Sequence, residues 1–200
     1  DLVQFVVVDE AHNLEDKVRS ATTERFGERQ LIHAINSAVK SVRGEEREFI
    51  LEDADDVVRS VRALYSNLNS QMRMQITQPA RDMKYADRFF FRDEDGAVDL
   101  IRAVSRQLQK LSSSVQVFGS RDYRRGDSSS GADELDAAAQ SFKELASDFD
   151  RQLLWLERRG QTADLSFCPK NTKDILKKLY FSSKIRVILT SATLTSAVGG

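Results

Sequence analysis

Two short apolar runs near the ends of the chain constrain its fold more than any other feature. Residues 5–8 read Phe-Val-Val-Val and residues 187–189 read Val-Ile-Leu, and each run leads directly into polar residues. Both runs are continuous and rich in β-branched side chains, which is typical of parallel strands buried on both faces. Between them the apolar residues recur with the period of a helix. The sequence therefore predicts two β-strands separated by a long, mostly helical segment.

The middle of the chain predicts four amphipathic helices, and a fifth, shorter one is expected at about residues 172–181. The four apolar stripes run from Leu31 to Val42 with an end near Gly44, from Val57 to Met72 behind an acidic start at residues 52–56, from Val98 to Val115, and from Leu135 to Leu153. Residues 88–92 are expected to form a short strand that pairs with residues 154–157 and 165–167.

Other conspicuous positions have structural interpretations. Residues 119–131 carry three glycines and four serines, and this composition predicts an exposed, mobile loop. Trp155 and Phe89–Phe91 are expected in the core, and Cys168 is expected to be a buried, inert thiol. His33 is expected to be a histidine of the helix surface or the core rather than a metal ligand.

The composition excludes several classes of protein. The 200 residues include 30 Lys and Arg against 31 Asp and Glu, for a net charge of −1, which argues against a basic nucleic-acid-binding arm and against an acidic tail. No apolar stretch approaches the length of a membrane span, the start lacks a secretory signal, and one cysteine cannot form an internal disulfide. We therefore expect a soluble, intracellular protein without a membrane partner, and an internal piece of a longer chain. Its location would be cytoplasmic and nucleoid-associated in a prokaryote, or nuclear in a eukaryote.

The first apolar run ends in Asp-Glu-Ala-His at residues 9–12. Ligands of open α/β sheets collect at the carboxyl ends of the strands, so this is where the magnesium complex of a nucleotide would bind. An aspartate at a strand end can hold Mg²⁺, and an adjacent glutamate can orient and deprotonate an attacking water. The pattern thus indicates a nucleoside triphosphate hydrolase. The alternative is a strand that ends in an acidic helix cap.

The second apolar run passes into Thr-Ser-Ala-Thr-Leu at residues 190–194. Small hydroxyl side chains at this position can relay a change in hydrogen bonding between a nucleotide site and a neighbouring surface. The alternative is an ordinary turn after a strand.

Together the two motifs resemble motifs II and III of superfamily 2 helicases. Most relatives of the DEAH-box type have a short connection between these motifs, whereas here they stand near opposite ends of the chain. The chain is similar in this respect to DNA helicases of the DinG and XPD kind, in which a helical arch domain is inserted between an extended box like residues 9–14 and a strand ending in Thr-Ser-Ala-Thr-Leu. Residues 169–179 resemble the segment that returns that family's chain to its motor sheet. The motif resemblance covers the two ends, and over the middle it is only architectural.

The resemblance implies an α/β fold with RecA-like, P-loop NTPase strands and a large inserted arch. Residues 1–23 and 167–200 would belong to the RecA-like helicase domain, and residues 24–166 would form the mostly α-helical arch. The two ends of the chain would then meet in space as neighbouring parallel strands.

The resemblance also implies roles for individual residues. Asp9 would be the Walker B carboxylate associated with Mg²⁺, Glu10 the catalytic base, and His12 a link between the nucleotide site and the DNA-binding surface. Motif III, which here comprises Ser191, Ala192 and Thr193, would couple hydrolysis to movement.

The function implied by the resemblance is ATP-dependent translocation, 5′ to 3′, on single-stranded DNA with unwinding of duplexes and forks in DNA repair or replication. ATP and Mg²⁺ are the implied cofactors. The family's iron–sulfur cysteines would lie before Asp9, so a 4Fe–4S cluster in the parent protein would have no ligands in this chain. No Gly-x-x-x-x-Gly-Lys-Ser/Thr phosphate loop occurs. We therefore expect the 200-residue chain by itself to be inactive as an ATPase.

Two alternatives stay open. The chain could belong to a nucleic-acid-stimulated ATPase that remodels RNA or protein complexes and uses the arch to dock protein partners, or it could be an interaction module only. A basic and aromatic patch at Arg121, Tyr123, Arg124 and Arg125 is a candidate contact for single-stranded DNA through ion pairing and stacking. The alternative for this patch is a solvated loop tip.

Overall fold

The computed structural model describes residues 5–76, 87–119, 129–181 and 186–191. The chain divides into a terminal unit, residues 1–23 with 168–200, and a central unit, residues 24–167. In chain order the elements are β1 (Phe5–Val8), α1 (Leu14–Ala21), β2 (Glu24–Phe26), α2 (Glu28–Ser41), α3 (Glu46–Ile76), β3 (Arg88–Phe90), α4 (Ala97–Gly119), α5 (Ser129–Ser147), β4 (Gln152–Arg159), β5 (Thr162–Pro169), α6 (Lys173–Leu176) and β6 (Arg186–Leu189). The chain has mixed α/β content, with one parallel and one antiparallel sheet.

The terminal unit contains the two strands expected from the apolar runs, but the expectation that both of their faces are buried is wrong, since most of their side chains are exposed. Strands β1 and β6 pair in parallel, with Phe5 opposite Arg186 and Val8 opposite Leu189. A 3₁₀ turn at Ala11–Asn13 and helix α1 follow β1, and α6 continues into a π-helical turn at Lys177–Phe181 before β6. The predicted pairing of the two ends of the chain is thus confirmed, although the strands are distant in sequence.

Helices α2 to α5 supply most of the core of the central unit. Contacts join α2 with α3 and α5, and α4 with α3 and α5. The largest fully buried side chains are Tyr65, Phe142, Leu31, Ile35, Ile50, Leu64, Leu68, Met72, Ile101, Leu108, Leu111 and Leu135. All of them except Ile50 and Tyr65 fall on the apolar stripes that the sequence shows, because a helix that packs on its neighbours buries one face.

The antiparallel sheet of the central unit has the strand order β2-β5-β4-β3. Phe26 stands opposite Leu165, and Phe89 stands opposite Leu156. All four of these side chains are buried in the same core as the helices. The predicted pairing of the strand around residues 88–92 with β4 is confirmed. Its predicted pairing with residues 165–167 is wrong, because these residues belong to β5, which lies between β2 and β4.

Two glutamines cover the outer edge of this sheet. The side-chain amide of Gln75 donates to the Phe90 carbonyl at 2.7 Å and accepts from the Phe90 N–H at 2.9 Å. Gln71, one helical turn earlier on α3, makes the same pair of bonds with Arg92 at 2.8 and 3.0 Å. Each amide therefore takes the place of a neighbouring strand at the edge formed by β3, where unpaired backbone groups invite aggregation.

Two predicted helix limits are wrong. Helix α3 begins at Glu46, so the acidic run at residues 52–56 lies within it, and Glu46 and Glu48 occupy the first turn, where carboxylates are favoured. Helix α5 ends at Ser147, and Leu153 belongs to strand β4. The apolar stripe misleads here because Phe149, beyond the helix, still packs on the core and lies 5.8 Å from the Phe91 ring.

Trp155 and Phe90 are not core residues, contrary to expectation. Side chains alternate across a strand, so Trp155 points away from the face that carries buried Leu156. Trp155 is half-buried, and the Arg88 guanidinium lies 5.7 Å from its ring centroid. Phe90 is 77% exposed, whereas its neighbour Phe89 is buried as predicted.

The expected loop at residues 119–131 is wrong at both ends, and at the first of these Gly119 belongs to α4. Residues 129–131 belong to α5, and Gly131 is buried where a Cβ atom would lie 2.7 Å from the Ser37 Cβ atom. This glycine allows α5 to approach α2 closely. Residues 120–128 lie outside the described residues. The expected burial of Cys168 is confirmed, and His33 has an exposed side chain on α2.

Within the described ranges, no helix has the length and apolar content needed to cross a membrane.

Candidate functional site

The candidate site lies where strands β1 and β6 of the terminal unit end. The Thr190 N–H donates to the Val8 carbonyl at 2.9 Å, and the Ala11 N–H donates to the Thr190 carbonyl at 2.9 Å. These two bonds continue the parallel pairing for one residue beyond the strands. They bring the Asp-Glu-Ala-His run and the Thr-Ser run to the same sheet edge, the carboxyl edge at which α/β proteins bind their ligands.

Asp9 is held by two hydrogen bonds to one of its carboxylate oxygens. Asp9 Oδ1 accepts from the Thr190 hydroxyl at 2.7 Å and from the Glu10 backbone N–H at 2.9 Å. Both bonds favour the ionised form, and together they outweigh the small effect of burial. The Thr190 hydroxyl and then the Glu10 N–H therefore lower the pKa of the Asp9 carboxyl below its ordinary value.

Glu10 adopts an uncommon backbone conformation. Its φ of 52° and ψ of 45° place it in the left-handed region, which is unfavourable for a residue with a Cβ atom. This conformation turns the chain sharply between β1 and the 3₁₀ turn. The Glu10 side chain remains 54% exposed, and its Oε2 lies 3.1 Å from His12 Nδ1. The carboxylate is thus accessible to solvent and to a ligand.

His12 connects the two motifs. Its Nδ1 lies 2.8 Å from Ser191 Oγ and 3.1 Å from Glu10 Oε2. With a proton on Nδ1, the ring can donate to either oxygen. His12 therefore contacts residues that follow both β1 and β6.

The donor set at this edge suits Mg²⁺ that arrives with a nucleotide. Mg²⁺ keeps several waters and in nucleotide sites is bound by one or two carboxylates together with the substrate phosphates. Asp9 offers Oδ2, which makes no hydrogen bond or ion pair within the described residues. In those same residues, no three His, Cys, Asp and Glu side chains gather closely enough to hold a metal ion by themselves.

The structure brings together four of the residues that the sequence singled out: Asp9, Glu10, His12 and Ser191. The remaining motif III residues, Ala192 and Thr193, lie outside the described part of the chain. So do the four residues of the proposed DNA-contacting patch, Arg121, Tyr123, Arg124 and Arg125. Their roles stay predictions.

Thr190 is the residue that sequence reasoning missed. Its hydroxyl gives the shortest hydrogen bond to Asp9, and its backbone groups bond to both Val8 and Ala11. The signal for it was present, since Thr190 is the first polar residue after an apolar strand that was expected to lie beside β1. A hydroxyl at that position faces the first polar residue after the neighbouring strand.

No protein-family model matches the chain, and no curated protein matches it.

Proposed function

We propose that the chain is part of an ATP-dependent DNA helicase that moves along single-stranded DNA. The terminal unit would be part of a RecA-like motor domain and the central unit its inserted arch. The observation that carries this proposal is the paired end of β1 and β6, where the Thr190 hydroxyl lies 2.7 Å from Asp9 Oδ1 and His12 Nδ1 lies 2.8 Å from Ser191 Oγ.

The chemistry starts from the ionised Asp9 carboxylate. Thr190 and the Glu10 N–H keep Oδ1 in place and favour its charge, so Oδ2 would be available to hold the magnesium complex of ATP. When bound, Mg²⁺ neutralises charge on the phosphate oxygens and polarises the terminal phosphate. Asp9 is therefore a binding and positioning group, and it transfers no proton.

Glu10 would act as the general base. As a water oxygen attacks the terminal phosphorus, its proton passes to the Glu10 carboxylate, and the bond between that phosphorus and the ADP oxygen breaks. The protonated carboxyl accepts a hydrogen bond from His12 less strongly than the ionised form does, because hydrogen bonds to charged acceptors are stronger. His12 would then shift toward Ser191 Oγ. Hydrolysis at the end of β1 would in this way change the hydrogen bonding of the chain after β6.

The experiment is ATP turnover by the full-length protein, with and without single-stranded DNA or RNA, in wild type and in Glu10→Gln. We expect DNA to stimulate the wild type and the variant to lose about 10²-fold or more in rate, since general bases commonly supply 10²–10⁴-fold. The matched control is Asp16→Asn, which removes one exposed carboxylate on α1 of the same unit. Its turnover should equal that of the wild type.

Three results would count against the proposal. Turnover that ignores nucleic acid would exclude a nucleic-acid motor, and turnover that survives Glu10→Gln would exclude the assigned base. Stimulation by RNA but not by DNA would favour the RNA-remodelling alternative. For the 200-residue chain alone, which has no phosphate loop, we expect no measurable turnover.

A further inference from the structure

The terminal unit contains an open cavity at α1 and α6, away from the candidate site. It has a volume of about 640 Å³, which lies in the range of small-ligand sites. Its lining residues are Glu15, Lys170, Asn171, Thr172, Lys173, Leu176 and Lys177. It shares no residue with the Asp9 site.

The charges that line this cavity are unbalanced. Lys173 and Lys177 line it with a single carboxylate, Glu15, which is already engaged by Arg19, with Nη2 of the arginine 2.9 Å from its Oε1. Lys173 and Lys177 are exposed and make no ion pair within the described residues. Concentrating like charges around one cavity is unfavourable unless an anion binds there.

The arrangement of the lysines follows from the local helix. Lys173 opens α6, and Lys177 opens the π-helical turn that continues it. Residues four apart lie on the same side of a helix, and both of these residues line the same cavity. Lys170 precedes the helix and adds a third cation beside Asn171 and Thr172, whose side chains can hydrogen-bond to an oxyanion.

We infer that this cavity binds phosphate groups. Lysine is a common phosphate ligand because its ammonium group is a compact point charge with three donors. The phosphates can come from two sources, the backbone of a nucleic acid strand or a soluble polyphosphate such as that of a nucleotide. A strand is the source we expect, since Lys173 and Lys177 begin two consecutive helical segments, a spacing that suits contact with successive phosphates.

The test is direct binding to the 200-residue chain, without ATP turnover, so its outcome is independent of the proposed ATPase. The variant combines Lys173→Glu with Lys177→Glu. Two probes are used: a fluorescein-labelled oligothymidylate, followed by anisotropy, and tripolyphosphate, followed by calorimetry. The matched control combines Lys40→Glu with Lys143→Glu, which makes the same change of charge at exposed lysines of α2 and α5.

For the oligonucleotide we expect the variant to bind at least about tenfold more weakly than the control at low salt. Each lost phosphate contact should reduce the salt dependence by about 0.7 in the slope of log affinity against log salt concentration. Loss of tripolyphosphate binding with unchanged oligonucleotide binding would assign the cavity to a soluble polyphosphate. Equal effects in the variant and the control, or no effect on either probe, would overturn the site.

Discussion

The two units of the chain place their apolar side chains in opposite ways. The central unit buries many of them in one core that draws on helices α2 to α5 and on its antiparallel sheet. In the described part of the terminal unit, Val18 and Cys168 are the buried apolar side chains, while Phe5, Val7 and Ile188 are 61%, 53% and 49% exposed. The two apolar strands β1 and β6, which are the most conspicuous apolar runs of the sequence, are thus largely exposed to solvent.

Because of this difference, we expect the central unit to supply stability and the terminal unit to supply the polar groups for chemistry. Burial of apolar surface is the dominant favourable term in folding, so the central unit has its own source of stability. The terminal unit has a sheet of two short strands, which is marginal without a packed face, and its polar residues are joined by hydrogen bonds at one edge. We therefore expect truncation of apolar side chains to lower mainly the stability of the central unit. Removal of single hydroxyl groups should affect mainly the chemistry of the terminal unit.

The largest effect should come from the core of the central unit. Phe142 is fully buried and meets Phe26 edge to face with ring centroids 5.3 Å apart. We expect Phe142→Ala to lower the free energy of unfolding by about 3–5 kcal/mol, because it removes a large buried side chain and leaves a cavity. Urea unfolding followed by circular dichroism measures this change.

The control for that prediction is Phe49→Ala on α3. Phe49 is 76% exposed, and surface substitutions usually change stability by less than about 0.5 kcal/mol. If Phe142→Ala and Phe49→Ala lowered the free energy of unfolding equally, burial of apolar side chains would not be what stabilises the central unit.

A smaller effect is expected at the covered edge of the antiparallel sheet. Gln75→Leu would keep much of the side-chain volume but remove both hydrogen bonds to Phe90. A backbone donor and acceptor left without partners in a partly buried place cost about 1–3 kcal/mol. Urea unfolding again measures the change, and light scattering should detect association through the newly uncovered edge of β3.

Gln140→Leu is the matched control for this substitution. Gln140 is exposed on α5, and its amide bonds only to Glu144 within the described residues, at 2.9 Å. The same change of side chain there should leave stability and solubility near those of the wild type. Equal aggregation in both variants would attribute the effect to added surface hydrophobicity rather than to the edge of β3.

The glutamine contacts also illustrate where sequence reasoning stops. Helices α2 and α4 are readable because their apolar residues recur every three or four positions, and this signal is local. The bonds from Gln71 and Gln75 to β3 depend on how a helix and a strand meet in space, and no spacing along the chain encodes them. Strand β2 at Glu24–Phe26 was missed because only one of its three residues is apolar, whereas β3, which is equally short, lies in a run of three phenylalanines.

The candidate site was more accessible to sequence reasoning than the edge of the sheet. Asp9 and Ser191 each follow an apolar run, and parallel pairing of the two runs is sufficient to bring them to one edge. The hydrogen-bond partners were not predictable to the same degree. Which hydroxyl reaches Asp9 depends on the register, in which Val8 stands opposite Leu189, and a shift of one residue would have moved Thr190 away.

The smallest expected effect concerns the Thr190 hydroxyl. It tests whether a single polar contact in the terminal unit changes the properties of Asp9 with little change in stability. Thr190→Val keeps the shape of the side chain and removes the donor to Asp9 Oδ1. Since this bond is the main cause of the lowered pKa of Asp9, we expect the pKa of the Asp9 carboxyl to rise toward its ordinary value. Titration of the carboxyl ¹³C signal by NMR measures it. Thr22→Val serves as the control, because the Thr22 hydroxyl donates to the Val18 carbonyl and not to a carboxylate.

The sign of the accompanying pH dependence follows from linkage. A carboxyl with a lowered pKa in the folded state adds stability above its unfolded pKa, and this contribution disappears as the pH falls through the lowered folded value. Thr190→Val should therefore reduce the loss of stability on acidification, and only in the range at and below the ordinary pKa of an aspartate. Because Asp9 is exposed, solvent screens the charge and the change in stability should be slight, whereas the shift in pKa should be clear. An unchanged Asp9 titration in Thr190→Val would mean that the Glu10 N–H alone lowers the pKa of the carboxyl. The pKa of Asp9 would then depend on the backbone turn after β1 rather than on a contact between β1 and the residue that follows β6.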